Sequence, residues 1–262
     1  MVGLSFTFSV PCKDNQKLSK IVDSVNSDVR LQTFWKSSNI MAINRMGYTD
    51  HGPTHVKIVA NSALKLLRML VAKGAVPNTV KDYNLSIKDA EIVVVLGSIL
   101  HDLGMVVTRE NHEMYSVFLA IDFLRTHLSS LYTQEERAII SSETLHAILA
   151  HHPDQRVLTL EAGVVRVADA LDMEQGRARI PFEAGKVDIH SVSALSIEKV
   201  EILEGTLKPI KIKIRMANSA GIFQIDELLK ARIQNSGLED YIHVVAEITG
   251  ERERKIVRKF EF

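Results

Sequence analysis

The chain has 262 residues, of which 46% are hydrophobic and 24% are charged, the proportions of an ordinary globular protein. Basic and acidic residues number 32 each, so the overall charge favours neither nucleic acid nor an anionic membrane as a partner. The single cysteine, Cys12, excludes an internal disulfide and fits a reducing compartment. Because the sequence predicts neither a signal peptide nor a membrane span, we expect a soluble cytoplasmic protein without a membrane partner.

The first 44 residues predict an extension that packs on the main domain. Residues Leu4 to Val10 are expected to form a short strand. The segment from Leu18 to Phe34 carries apolar residues at helical spacing, which indicates one or two helices.

Residues 45–184 predict a bundle of helices. Gly52-Pro53 indicates a turn, and the apolar spacing from Val56 to Leu70 predicts an amphipathic helix directly after it. Ser86 and Asp89 form a predicted capping box that opens an apolar segment, Ile92–Leu100. Periodicity fits a buried strand as well as a buried helix there, and the cap favours the helix. We expect Gly104 to end it.

The pattern changes beyond Gln175. Ile210, Ile212 and Ile214 alternate with basic residues, which is typical of a strand with one apolar face. The remaining residues, 185–262, therefore predict a small α+β domain of roughly two strands, a helix and two strands. The predicted strands are Val187–Leu203, Leu207–Met216, Tyr241–Thr249 and Ile256–Phe262, and the predicted helix is Gln224–Gln234. The fold class is thus mainly α, with an α+β domain at the C-terminus.

Histidines and aspartates recur at helix ends and on inward faces of the helical region. His101-Asp102 closes the most apolar segment, where an unpaired carboxylate would be costly, and Asp169 interrupts another apolar helix. Either aspartate could pair with a cationic side chain, but the ordered set of histidines favours a metal. Neutral imidazoles combined with carboxylates suit Mn, Fe, Zn, Co or Ni better than Mg or Ca. The candidate ligands are His55, His101, Asp102, His112, His151, His152 and Asp169.

This order of residues resembles the HD-domain superfamily of metal-dependent phosphohydrolases over roughly residues 45–180. The resemblance implies an all-α catalytic fold in which one or two divalent transition metal ions activate a water molecule and clamp a phosphoryl group. The matching fragments are His55-x-x-x-Val59-Ala60, Leu100-His101-Asp102-Leu103-Gly104, His112, Ala150-His151-His152 and Val167-Ala168-Asp169-Ala170.

The resemblance also implies roles for individual residues. The primary metal ligands would be His55, His101, Asp102 and Asp169, with Asp102 bridging two ions and essential for catalysis. His112 and the His151-His152 pair match the additional histidines of the two-metal branch, although spacing does not decide which member of the pair is the ligand.

His51 is the second candidate catalytic residue. It precedes His55 by four positions, as the proton-donating histidine precedes a metal-binding histidine in cyclic nucleotide phosphodiesterases. It would protonate the leaving oxygen. The alternatives are that His51 binds an additional metal or is a histidine of a turn.

The substrate stays open, because two family signatures are missing. The Gly-Tyr-Pro that follows His-His in enzymes acting on cyclic dinucleotides is replaced by Pro153-Asp154-Gln155, and Met105 stands where many members have lysine. Arg177 and Arg179 are candidates for holding the substrate phosphate, with salt-bridged surface arginines as the alternative.

We therefore expect a phosphohydrolase or phosphodiesterase that acts on a small nucleotide-like phosphate ester. The alternative is a metal-containing regulatory module that senses a nucleotide without turning it over. A homodimer is compatible with the mixed surface of the C-terminal domain. The basic strand face that includes Lys211 and Lys213 leaves nucleic acid open as a partner, but a solvated face is favoured.

Overall fold

The computed structural model describes residues 6–174, 193–249 and 259–261. A bundle of helices is followed by a four-stranded sheet with one further helix, which confirms the expected mainly α fold with a smaller α+β part at the C-terminus. The predicted boundary near Gly185 lies outside the described residues. None of the described helices is both long enough and apolar enough to cross a membrane.

Eight helices form the bundle in the described part of the chain. A π-helical segment, Ile40–Arg45, extends the second of them, and a short 3-10 helix, Leu103–Val106, follows the fifth. The helices are α1 (Gln16–Ser27), α2 (Val29–Asn39), α3 (Pro53–Ala72), α4 (Asn78–Tyr83), α5 (Ile87–Leu100), α6 (His112–His127), α7 (Gln134–Ala150) and α8 (Leu160–Ala170).

Helix α5 is the centre of the bundle. Every residue from Asp89 to Leu100 is buried, and α3, α7 and α8 pack around it. The predicted capping box of Ser86 and Asp89 is present, so the helical interpretation of this apolar segment is confirmed. Because α5 ends at Leu100, His101 and Asp102 follow it in the interior of the bundle and not at the surface of the protein.

Gly104 has a different role from the predicted one. The helix ends four residues earlier, and Gly104 lies in the 3-10 helix, where a Cβ atom would come within 2.0 Å of the carbonyl oxygen of His112. Its backbone N–H donates to Ser116 Oγ at 2.8 Å. The absence of a side chain therefore lets the start of α6 approach the end of α5.

The N-terminal extension packs on the bundle as two helices, α1 and α2, within the predicted range of one or two. The predicted strand is wrong for its described part, residues 6–10. The backbone of Phe8 instead pairs with the side-chain amide of Asn26: Phe8 N–H donates to Oδ1 at 2.8 Å, and Nδ2 donates to the Phe8 carbonyl at 3.0 Å. An amide side chain thus takes the place of a neighbouring strand.

The C-terminal part is a single sheet with strand order β1-β2-β3-β4. The first and last strand pairs are antiparallel, and β2 and β3 are parallel, joined by a helix over residues 221–234, here α9. The predicted alternation is confirmed, since the isoleucines of β2 are fully buried. The strands are β1 (Ile197–Glu204), β2 (Ile210–Met216), β3 (Ile242–Ile248) and β4 (Lys259–Glu261).

Arg166 on α8 connects the two parts of the chain from a fully buried position. Its Nε donates to the carbonyl of Ala150 at 2.8 Å, and its Nη1 donates to the carbonyl of Asn235, just after α9, also at 2.8 Å. Its Nη2 donates to the carbonyls of His152 and Gln155. One guanidinium therefore satisfies four backbone acceptors in the turn after α7 and at the end of α9.

Replacing Arg166 with methionine should lower the free energy of unfolding by about 3 kcal/mol, because buried carbonyls would lose their charged donor. Urea denaturation monitored by circular dichroism measures this change. The matched control is Arg125→Met on the exposed face of α6, which should change stability by less than about 0.5 kcal/mol. Equal effects of the two substitutions would contradict the proposed role of Arg166.

Candidate metal centre

Six side chains meet where five helices of the bundle begin or end. Five of them are buried, and the sixth, Asp169, is partly exposed. The sequence predicted all six as candidate ligands, and the structure brings them together. They are His55 in the first turn of α3, His101 and Asp102 after α5, His112 at the start of α6, His151 after α7 and Asp169 near the end of α8.

One half of the cluster surrounds the pair His55 and His101. Their Nε2 atoms are 3.2 Å apart. Asp169 Oδ1 lies 3.4 Å from the first of these nitrogens and 3.6 Å from the second. Asp102 Oδ2 lies 3.3 Å from the first and 3.2 Å from the second. Two imidazole nitrogens and two carboxylate oxygens therefore face one small space.

The other half surrounds the pair His112 and His151, whose Nε2 atoms are 3.3 Å apart. Asp102 Oδ1 lies 3.1 Å from His112 Nε2 and 3.9 Å from His151 Nε2. The two oxygens of Asp102 therefore face different histidine pairs.

The other ring nitrogen of each histidine faces an acceptor. In His101, His112 and His151, Nδ1 lies 2.7, 3.0 and 2.5 Å from the carbonyl oxygen of the residue three positions earlier. In His55, Nδ1 lies 2.6 Å from Asp172 Oδ2. Because these oxygens only accept, they favour the hydrogen on Nδ1, and a ring in that tautomer presents the lone pair of Nε2 to the cluster.

This donor set fits a divalent metal ion. Lone pairs of Nε2 atoms that face each other at 3.2 and 3.3 Å repel unless a proton or a metal ion lies between them. Bonds of about 2.1 Å to a tetrahedral or octahedral ion separate neighbouring ligand atoms by roughly 3.0–3.4 Å. Most of the distances in the cluster are close to that range. Buried second partners on Nδ1 are also the usual support of metal-binding histidines.

The pKa values show that the cluster stabilises positive charge. Burial would lower the pKa of His101, but Asp102 and Asp169 outweigh burial and raise it to about 9. Burial likewise would raise the pKa of Asp102, but His101 and His51 hold it well below its ordinary value. The pKa of His151 is lowered well below its ordinary value by burial and by the neighbouring histidines, so this ring is neutral.

Two carboxylates beside the cluster were missed as partners of its histidines. Asp172 had no predicted partner, and the structure pairs it with His55, 117 positions away in the chain. Glu113 was overlooked although it directly follows His112, and its Oε1 lies 3.3 Å from His112 Nδ1. The guanidinium of Arg109 lies 2.9 Å from the same nitrogen.

The structure places the remaining predicted site residues differently. His152 is about one-third exposed, and its Nε2 lies 4.0 Å from Glu113 Oε1, so it does not join the cluster formed by its neighbour His151. His51 is buried beside the cluster, with its ring centre 5.7 Å from that of His55. Arg177 and Arg179 lie outside the described residues.

The adjacent histidines provide a matched test of this geometry. We expect His151→Asn to weaken metal binding at least about 100-fold, since loss of even a supporting partner of a ligand costs 10- to 100-fold. His152→Asn should leave metal affinity unchanged within about threefold, because its ring nitrogens lie 4.0 Å from the carboxylates of Glu113 and Asp154 and not among the clustered ligand atoms. Competition titration with a chromophoric chelator measures both constants. Equal losses, or a larger loss for His152→Asn, would contradict the assignment.

Comparison with known proteins agrees with this geometry. The family model of the HD domain matches residues 54–174, which contain all six clustered side chains. The uncharacterized protein MJ1020 of Methanocaldococcus jannaschii is 47% identical over 232 residues, covering 88% of this chain and 90% of the relative. Members of the family bind divalent metals, and the histidine and aspartate groups described above are able to hold one. The chain belongs to the HD-domain superfamily of metal-dependent phosphohydrolases.

Proposed function

We propose that this protein is a phosphohydrolase or phosphodiesterase that hydrolyses a nucleotide-like phosphate ester at a centre of two transition metal ions. The observation that carries the proposal is the division of the Asp102 oxygens between two histidine pairs. Bound there, two such ions would activate a water molecule and hold the phosphoryl oxygens for in-line displacement.

The residues of the cluster would form two ion-binding positions. His55, His101 and Asp169 would hold one ion, and His112 and His151 would hold the other, with Asp102 shared between them. Imidazole-rich ligation favours Mn, Fe, Zn, Co or Ni. Asp172 would orient His55 through its hydrogen bond to Nδ1 and would increase the basicity of Nε2.

His51 would supply the proton for the leaving oxygen. Its Nδ1 lies 2.7 Å from the carbonyl oxygen of Thr49, so the hydrogen on that nitrogen is held by the backbone. In the imidazolium form the second proton is on Nε2, from which it can be transferred. His51 also helps to hold the pKa of Asp102 below its ordinary value, which supports a position of its ring within electrostatic reach of the cluster.

The decisive experiment measures metal content and turnover together, for the native chain and for Asp102→Ala. We expect about two equivalents of metal and hydrolysis of at least one class among mono-, cyclic and oligonucleotides, with turnover reduced to background by the substitution. Asp240→Ala, which removes an exposed carboxylate, should behave as the native chain does. Bound metal without turnover on any class would favour a nucleotide-sensing module, and a chain without metal would contradict the proposal.

Leaving groups of different basicity test the role of His51. His51→Gln should lower kcat about 10²- to 10⁴-fold for a nucleotide substrate, whose leaving alkoxide needs a proton. The loss should be much smaller for a p-nitrophenyl ester, because p-nitrophenolate leaves unprotonated. Metal content should not change. Equal losses on both esters would exclude His51 as the proton donor, and a fall in metal content would identify it as a ligand instead.

A further inference from the structure

Arg232 reaches the metal centre from α9, outside the residues that match the HD-domain model. Its Nη1 donates a hydrogen bond to the carbonyl of His151, and the same atom lies 3.7 Å from Asp169 Oδ2. The side chain is 22% exposed. Arg232, which belongs to the C-terminal part, thus contacts the backbone of His151 and approaches the carboxylate of Asp169, and both residues are candidate ligands.

The comparison with Arg166 shows that Arg232 retains hydrogen-bonding capacity. The guanidinium of Arg166 uses all three nitrogens on four backbone carbonyls. Arg232 uses only Nη1 for a hydrogen bond, and among the described residues its Nη2 and Nε have no hydrogen-bond partner. Burial and the positive charge of Arg232 lower the pKa of Arg166 to about 10, so the two cations lie within electrostatic reach of each other. An anion beside Arg232 would relieve this repulsion.

The same side of the centre is the most accessible to solvent. The side chain of Asp169 is 14% exposed, whereas those of the other five candidate ligands are 5% exposed or less. Asp169 directs Oδ1 to the histidine pair and Oδ2 to Arg232. A substrate that approaches the cluster past Asp169 therefore meets Arg232 at its edge.

We propose that Arg232 binds a non-bridging oxygen of the substrate phosphate, so that the C-terminal domain completes the active site of the helical domain. This inference rests on the proposed function. A guanidinium matches phosphate oxygens through its planar array of N–H groups. The bond from Nη1 to the His151 carbonyl holds the array in place and leaves Nη2 and Nε for the anion.

Inorganic phosphate is the probe, titrated into the metal-loaded full chain by calorimetry. Arg232→Gln should raise the Kd of phosphate by about tenfold or more, with metal content at the native level. The KM of the substrate should rise by a larger factor than kcat falls. Arg232→Lys keeps the charge but not the planar array, so it should recover part of the affinity. Arg125→Gln, which removes an exposed arginine from α6, should change neither the Kd of phosphate nor the KM of the substrate.

Two results would overturn the inference. If Arg232→Gln and Arg232→Lys both bind phosphate as the native chain does, while metal affinity or the melting temperature falls, Arg232 only positions the turn that carries His151. If the native chain binds metal and turns over substrate but neither variant changes the Kd of phosphate or KM, the proposed function stands and this inference fails. A native chain that binds no metal would overturn both together.

Discussion

The carboxylate of Asp102 is buried among four imidazole rings, and the arrangement of the cluster depends on how this charge is compensated. A buried charge is strongly unfavourable unless it is compensated, and the lone pairs of four Nε2 atoms add to the negative potential at the same point. The hydrogens on Nδ1 are held by backbone carbonyls and by Asp172, so the rings cannot readily turn to relieve the repulsion. Positive charge must therefore reside in the cluster, as a proton on His101 or as a metal ion.

The bundle provides rigid positions for these side chains. Helix α5 is buried on all sides and ends inside the protein, so Asp102 starts from a fixed point. The missing side chain of Gly104 allows α6 to approach closely enough for His112 to reach Asp102. Arg166 holds the turn after α7 through its hydrogen bonds to the carbonyls of Ala150 and His152. Asp102, His112 and His151 thus each lie at a helix end that a separate packing interaction holds in place, as a preorganised centre requires.

The C-terminal α+β part has a structural connection to the same centre. Arg166 donates from α8 to the carbonyl of Asn235 beyond α9, and Arg232 donates from α9 to the carbonyl of His151 after α7. Each arginine therefore donates a hydrogen bond to a backbone carbonyl of the other part, Arg166 from the helical part and Arg232 from the α+β part. The backbone around His151 is therefore held by side chains of both parts.

Short-range patterns in the sequence predicted most of the helices and strands and the six residues that cluster, but they wrongly predicted a strand over residues 6–10. The capping box at Ser86 favoured a helix for α5, and strict alternation predicted β2; the structure confirms both. Tertiary packing was needed to place His151 rather than His152 in the cluster, to pair Asp172 with His55 and to bring Arg232 beside the cluster. Periodicity relates residues within about two helical turns, whereas these contacts join positions up to 117 residues apart, where packing alone sets the distance.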